Sequence, residues 1–174
     1  APADIYVLEL SSFQLAHSSH LALASAGVLN ITDDHRDWHG DFETYRRAKE
    51  RIYVNADYRV GCLSTDCNVD VSVDVSAPGV NRWGVAYHEE ALWVFCDDTP
   101  LIATSDLPLT GRHNIENCLW ALALVEPWIE PRRAAQLLVG FQGLPHRFES
   151  ISGPTGIRCI NDSMVSNVCA SMAA

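Results

Sequence analysis

The stretch GVLNITDDHRDWHGDFETYRRAKERIYVNADYRVGCL, residues Gly27 to Leu63, decides the fold. Gly27–Ile31 is a short apolar run of strand type. A polar loop follows, then a helical pattern over Asp41–Asn55, then a second strand-like run at Arg59–Leu63. Strand, helix and strand in succession argue for a parallel β-α-β unit. The preceding residues repeat the alternation, with a strand-like run at Ile5–Leu8 and a helical pattern at Ser12–Ala24. The expected fold is therefore α/β, a mostly parallel sheet flanked by helices.

Asn81 to Thr104 reads differently. Trp83–Tyr87, Leu92–Phe95 and Leu101–Ala103 are separated by short polar turns, which predicts a small antiparallel meander attached to the α/β core. Helical patterns resume at Asn114–Val125 and Pro131–Phe141, the second opening on a proline suited to a first helical turn. Gly143-Leu144-Pro145-His146-Arg147 breaks the pattern as a hinge would. Arg147–Ser152 and Gly156–Ile160 then read as a strand pair leading into a terminal helix from Met164 to Ala174.

Length and composition bound the function. A chain of 174 residues with 48% hydrophobic and 20% charged content can bury one sizeable core. Its formal charge of -10, from 22 acidic and 12 basic side chains, argues against a broad nucleic-acid footprint. Cys62, Cys67, Cys96, Cys118, Cys159 and Cys169 form no C-x-x-C pair, which suits reduced thiols in the cytoplasm. No apolar run has membrane-spanning length and no signal-peptide pattern is seen, so membrane insertion is not expected. The chain opens directly on a buried-strand pattern and closes in a helical pattern with no stop signal. Both ends predict an excised piece of a longer polypeptide.

Lys49 is the most informative single residue. Phe42, Tyr45, Ile52 and Tyr53 define one apolar stripe of the Asp41–Asn55 helix, with Arg46, Arg47, Glu50 and Arg51 on the opposite face. Lys49 falls in the middle of the stripe. An inward ammonium must be paired, neutralised or chemically changed, because an isolated buried charge is costly. The alternative is a lysine that snorkels past Tyr45 to water.

Other candidates lie at strand ends, where open α/β sheets bind ligands. Glu9 ends the first strand-like run and reads either as a metal or phosphate-side ligand or as a charge at the next helix's N-terminus. Asp33, Asp34, His35, Asp37 and His39 crowd the loop after Ile31. His17 and His20 are spaced like a metal pair, but without an H-E-x-x-H pattern they read as surface histidines. If Glu9, His35 and Lys49 converge, the set suits a hard divalent ion. A lysine there makes sense if its neutral amine has taken up carbon dioxide, giving a carbamate that bridges metal.

Six blocks occur in order: Glu9–Leu15, Asn30-Ile31-Thr32 through Asp34-His35 to Gly40, Tyr45-Arg46-x-Ala48-Lys49, Gly111-x-His113-Asn114-x-x-Asn117, Gly143–Glu149, and Asn161-Asp162-Ser163. Together they resemble the central domain of the Mur ligase family over almost the whole chain. The first, fifth and sixth blocks favour the members that add D-glutamate to UDP-N-acetylmuramoyl-L-alanine. The resemblance implies an ATP-dependent amide ligase working through an acyl phosphate in peptidoglycan precursor synthesis. The alternatives are a ligase adding another amino acid and a non-catalytic module that keeps the fold.

The resemblance also implies roles for residues. Glu9 would hold the magnesium that bridges the ATP phosphates. His35 and carbamylated Lys49 would hold a second magnesium. Ser11 and Gln14 would touch the UDP-muramoyl substrate. Asn114 and Asn117 would face the adenine and ribose of ATP, and Arg147 and Asp162 would also contact the nucleotide. It implies a division into a central ATPase domain over residues 1–146 and the start of a C-terminal ligase domain over 147–174.

Three departures stand against that pattern. The phosphate-cradling G-x-x-G-K-[ST] loop and the UDP-binding domain are absent from these residues, as is most of the C-terminal domain, so the 174-residue piece is expected to be inactive alone. Met164 stands where the family usually has lysine. Ser64-Thr65-Asp66-Cys67 departs from the usual Asn-x-Asp-Asp.

Overall fold

The computed structural model describes residues 3–62, 67–147, 149–157 and 159–164. The chain forms two compact units, Ala1–Ser72 and Val73–Ala174.

In the first unit, helix α1 (Ser12–His17) is followed by strand β1 (Ala26–Gly27), helix α2 (Arg36–His39), helix α3 (Phe42–Glu50) with a 3-10 turn at Arg51–Tyr53, and strand β2 (Arg59–Cys62). Strands β1 and β2 pair in parallel, Ala26 opposite Arg59 and Gly27 opposite Val60. This is the expected β-α-β unit. Asp41 starts α3 by accepting the Thr44 N–H at 2.6 Å, and that bond holds its carboxyl below the usual aspartate range. Tyr45 and Tyr53 are buried, while Arg46 pairs with Glu43 at 3.0 Å and with Glu50 at 3.1 Å on the outer face.

Local expectations in this unit are corrected at three places. Residues 4–10 form no strand: Ile5, Tyr6, Val7 and Leu8 are exposed, Val7 at 93%. Apolar pattern shows what a segment can bury, whereas a strand also needs a neighbouring edge for its hydrogen bonds. Among the described residues no strand pairs with this one. Helix α1 stops at His17 rather than Ala24, because Ser18 turns extended and its hydroxyl donates to the Gln14 carbonyl at 2.8 Å. Strand β1 ends at Gly27 rather than Ile31. The next amide, Val28 N–H, donates instead to the Tyr53 hydroxyl at 2.9 Å, which itself donates to the Val60 carbonyl at 2.7 Å. Tyr53 thereby takes the place of a rung between the two strands, at the centre of a core formed with Ala26, Val28 and Ala56.

Strand β3 (Val71–Asp74) spans the boundary between the units. The second unit contains strands β4 (Arg82–His88), β5 (Ala91–Cys96) and β6 (Thr99–Ala103), helices α4 (Arg112–Val125) and α5 (Pro131–Leu138), and strands β7 (Glu149–Ile151) and β8 (Cys159–Asn161). Strands β4, β5 and β6 form the predicted antiparallel meander, and β7 and β8 pair antiparallel as a separate small sheet. Helix α4 packs on β4 and α5, and α5 packs on β6. Trp83 and Trp120 are almost fully buried, and Trp83 Nε1 donates to Glu126 at 2.7 Å. Gly84 is required in β4, since a Cβ there would meet the Ala77 carbonyl oxygen at 2.5 Å. Helix α5 ends at Leu138, three residues short of the expected Phe141. The predicted terminal helix from Met164 onward and the Ser64-Thr65-Asp66 departure lie outside the described residues. No helix is long and apolar enough to cross a membrane among the described residues.

Candidate active site

The first unit carries five of the predicted site residues. Ser11 and Gln14 form a capping box at the start of α1. Gln14 N–H donates to Ser11 Oγ at 3.3 Å, and Ser11 N–H donates to Gln14 Oε1 at 2.8 Å. Their side chains therefore have a structural duty as well as the substrate contact expected of them. Glu9 is exposed in the irregular segment two residues before this cap.

His35 occupies the N-cap position of α2 in the left-handed region, φ 54°. Histidine adopts this conformation more readily than most side chains, and His146 shares it at φ 63°. Asp34 Oδ1 accepts the His35 backbone N–H at 2.8 Å. The His35 ring lies edge-on to Phe13 at 5.0 Å and to Tyr45 at 5.9 Å between centroids.

Lys49 passes over Tyr45 to a backbone carbonyl on the loop before His35. It is half-buried, and its Nζ donates to the Asn30 carbonyl at 3.0 Å while lying 5.5 Å from the centroid of Tyr45. Burial pushes its amine below the usual lysine value, and the Asp34 carboxylate acts in the opposite direction. His35 and Lys49 thus meet on Tyr45, with Asp34 beside both. Burial, and secondarily the Asp34 charge, raises the Tyr45 phenol. No described contact joins Glu9 to this pair. Among the described residues no three His, Cys, Asp or Glu side chains cluster as a metal site. Glu9 offers an exposed carboxylate and His35 an exposed imidazole, whereas the Lys49 amine is not itself the oxygen donor that a hard divalent ion takes.

His17 and His20 do not share a helical face, since α1 ends at His17, whose ring meets Trp38 at 5.9 Å. The sequence reading missed a different pair. Ser12 and His39 are both buried, and His39 Nε2 lies 3.0 Å from Ser12 Oγ. The available signal was the aromatic density of Phe13, Trp38 and Tyr45 around a second loop histidine.

The second unit carries the remaining four. Asn114, buried in the first turn of α4, donates from its amide to the Thr110 carbonyl at 2.8 Å, and Asn117 is exposed one turn later. Arg147 is exposed and closes a turn onto the Leu144 carbonyl at 3.2 Å. Asp162 follows β8. The neighbours of these two residues are tied together, since the Asn161 amide donates to His146 Nδ1 at 2.7 Å and to Glu149 at 3.3 Å.

Known proteins resemble this chain throughout. Over 98% of its length it is 40% identical to the UDP-N-acetylmuramoylalanine–D-glutamate ligase of Nitrosococcus oceani. Over 99% it is 38% identical to the ligase of the same name from Vibrio atlanticus. The chain spans about 40% of the length of each. Among solved structures, MurF from Acinetobacter baumannii matches with a TM-score of 0.67 at 18% identity, over 84% of this chain and 35% of that one. The UDP-N-acetylmuramate-alanine ligase MurC of Thermotoga maritima matches with a TM-score of 0.66 at 22% identity, over 87% of this chain and 36% of that one. These two likenesses establish the α/β fold. Residues 1–125 match the Mur ligase middle domain, and the chain belongs to the Mur ligase family.

Proposed function

We propose that the chain is the central part of an ATP-dependent ligase that joins D-glutamate to UDP-N-acetylmuramoyl-L-alanine in peptidoglycan precursor synthesis. The observation that carries this reading is identity of 34–40% to ligases of that name across nearly the whole chain. Residues 1–146 are read as the ATPase domain and 147–174 as the opening of the amino-acid-accepting domain, a division supported by the separate β7–β8 sheet. A cytoplasmic location follows from the substrates.

The alanine carboxylate attacks the γ-phosphorus of ATP and ADP leaves. The amine of D-glutamate then attacks the acyl carbon, phosphate departs, and the amine loses a proton. Glu9, His35 and Lys49 would hold two magnesium ions, whose chemistry is to neutralise the γ-phosphate oxygens that would otherwise repel an anionic nucleophile. Lys49 would serve as its carbamate. The amine nitrogen bonds to carbon dioxide, releases a proton, and keeps one N–H, which still satisfies the Asn30 carbonyl. The lowered amine pKa supports this, because only the neutral amine reacts. Ser11 and Gln14 are read as substrate contacts, and Asn114, Asn117, Arg147 and Asp162 as nucleotide contacts.

The test is ADP release by the full-length protein on ATP and UDP-N-acetylmuramoyl-L-alanine, with a panel of amino acids. Turnover with D-glutamate at least about tenfold above glycine, L-lysine or meso-diaminopimelate is expected. Preference for another amino acid would reassign the substrate, and no turnover with any would favour the non-catalytic reading.

A further inference from the structure

Helix α1 has six residues, too few to hold its own orientation in water. The structure supplies a tie. Ser12, its first residue, is 3% exposed, His39, the last residue of α2, is 8% exposed, and the two are hydrogen-bonded across 27 positions of sequence. His39 is itself fixed on several sides. It stacks on Phe13 at 5.6 Å and 16°, meets Trp38 edge-on at 4.4 Å, and lies 5.3 Å from Tyr45. Either neutral tautomer keeps the bond, with Nε2 accepting from or donating to the Ser12 hydroxyl.

Ser12 immediately follows Ser11, whose capping box with Gln14 makes the first turn of α1 one rigid unit. Fixing Ser12 therefore fixes the direction of both neighbours. Tyr45, which lies against His39, also meets the His35 ring and Lys49. We propose that His39 is a positioning residue that sets Ser11 and Gln14 toward the UDP-muramoyl substrate through its hydrogen bond to Ser12. This rests on the reading of Ser11 and Gln14 as substrate contacts.

Two substitutions separate the bond from the packing. His39→Phe keeps an aromatic ring and loses the bond, whereas His39→Gln places an amide near the Nε2 position and loses the ring. In the full-length ligase, His39→Phe raises KM for UDP-N-acetylmuramoyl-L-alanine about tenfold, the factor for one lost hydrogen bond at a buried site. KM for ATP and for D-glutamate stay within about twofold, and His39→Gln recovers most of the loss. Ser12→Ala, which removes one oxygen atom, gives the same selective rise and supplies the test if the phenylalanine variant does not fold. Equal rises in all three KM values, or no rise in either variant, overturn the proposal. Ser11→Ala separates the two layers. No change in KM there removes the substrate reading and the inference with it. A rise there beside an unchanged KM in Ser12→Ala and His39→Phe overturns the inference alone.

Discussion

Lys49 reaches back from α3 to donate its Nζ hydrogen to the backbone carbonyl of Asn30 at 3.0 Å. That bond draws the amine toward the loop bearing Asp34 and His35. If the carbamate reading holds, Lys49→Ala in the full-length enzyme lowers ligation about 100-fold or more, and acetate partly restores it by supplying the missing anion. Lys49→Arg stays inactive under acetate, since a guanidinium fills the space and keeps its positive charge. Phosphate release measured against acetate concentration decides this, and full activity in the arginine variant refutes the carbamate.

Tyr53 stitches β1 to β2 by its hydroxyl. Tyr53→Phe leaves the Val28 N–H and the Val60 carbonyl without that partner, at a cost of about 1–3 kcal/mol in urea unfolding. Burial raises the Tyr53 phenol above its ordinary value of 10.0. The fold therefore binds the proton more tightly than the unfolded chain does. The stability this group adds is complete below pH 10.0 and is lost as pH rises beyond it. The gap between wild type and Tyr53→Phe narrows in that alkaline range. A constant gap up to pH 11.5 would contradict the assignment.

The β4–β5 hairpin turns on Glu89 and Glu90, with φ of 48° and 67°, between the paired His88 and Ala91. Two positive φ values mark a type I′ turn, which favours Asn-Gly and costs other residues about 1 kcal/mol each. Glu89→Asn with Glu90→Gly should stabilise the protein by about 1–2 kcal/mol and also relieve the adjacent like charges. Thermal unfolding reads this directly, and a lower Tm would refute the turn assignment.

What the sequence disclosed was local. The α3 helix was legible from the apolar stripe of Phe42, Tyr45, Ile52 and Tyr53, and the meander from short apolar runs between polar turns. Ile5–Leu8 misled because strand formation depends on an edge supplied from elsewhere. Val28 was read as strand because nothing local shows that Tyr53, 25 residues on, takes its N–H. Lys49 could be singled out by its place in the stripe, but its partner Asn30 lies 19 positions away. The Ser12–His39 bond was hidden for the same reason.

Oxygen transfer from the substrate carboxylate to phosphate tests the acyl-phosphate route. UDP-N-acetylmuramoyl-L-alanine labelled with oxygen-18 in its alanine carboxylate is turned over by the full-length enzyme with ATP and D-glutamate, and the released phosphate is weighed by mass spectrometry. Attack of that carboxylate on the γ-phosphorus leaves one carboxylate oxygen on the phosphate when the amine displaces it. One labelled oxygen is expected in each phosphate released, and unlabelled phosphate accompanying amide product would refute an acyl-phosphate ligase.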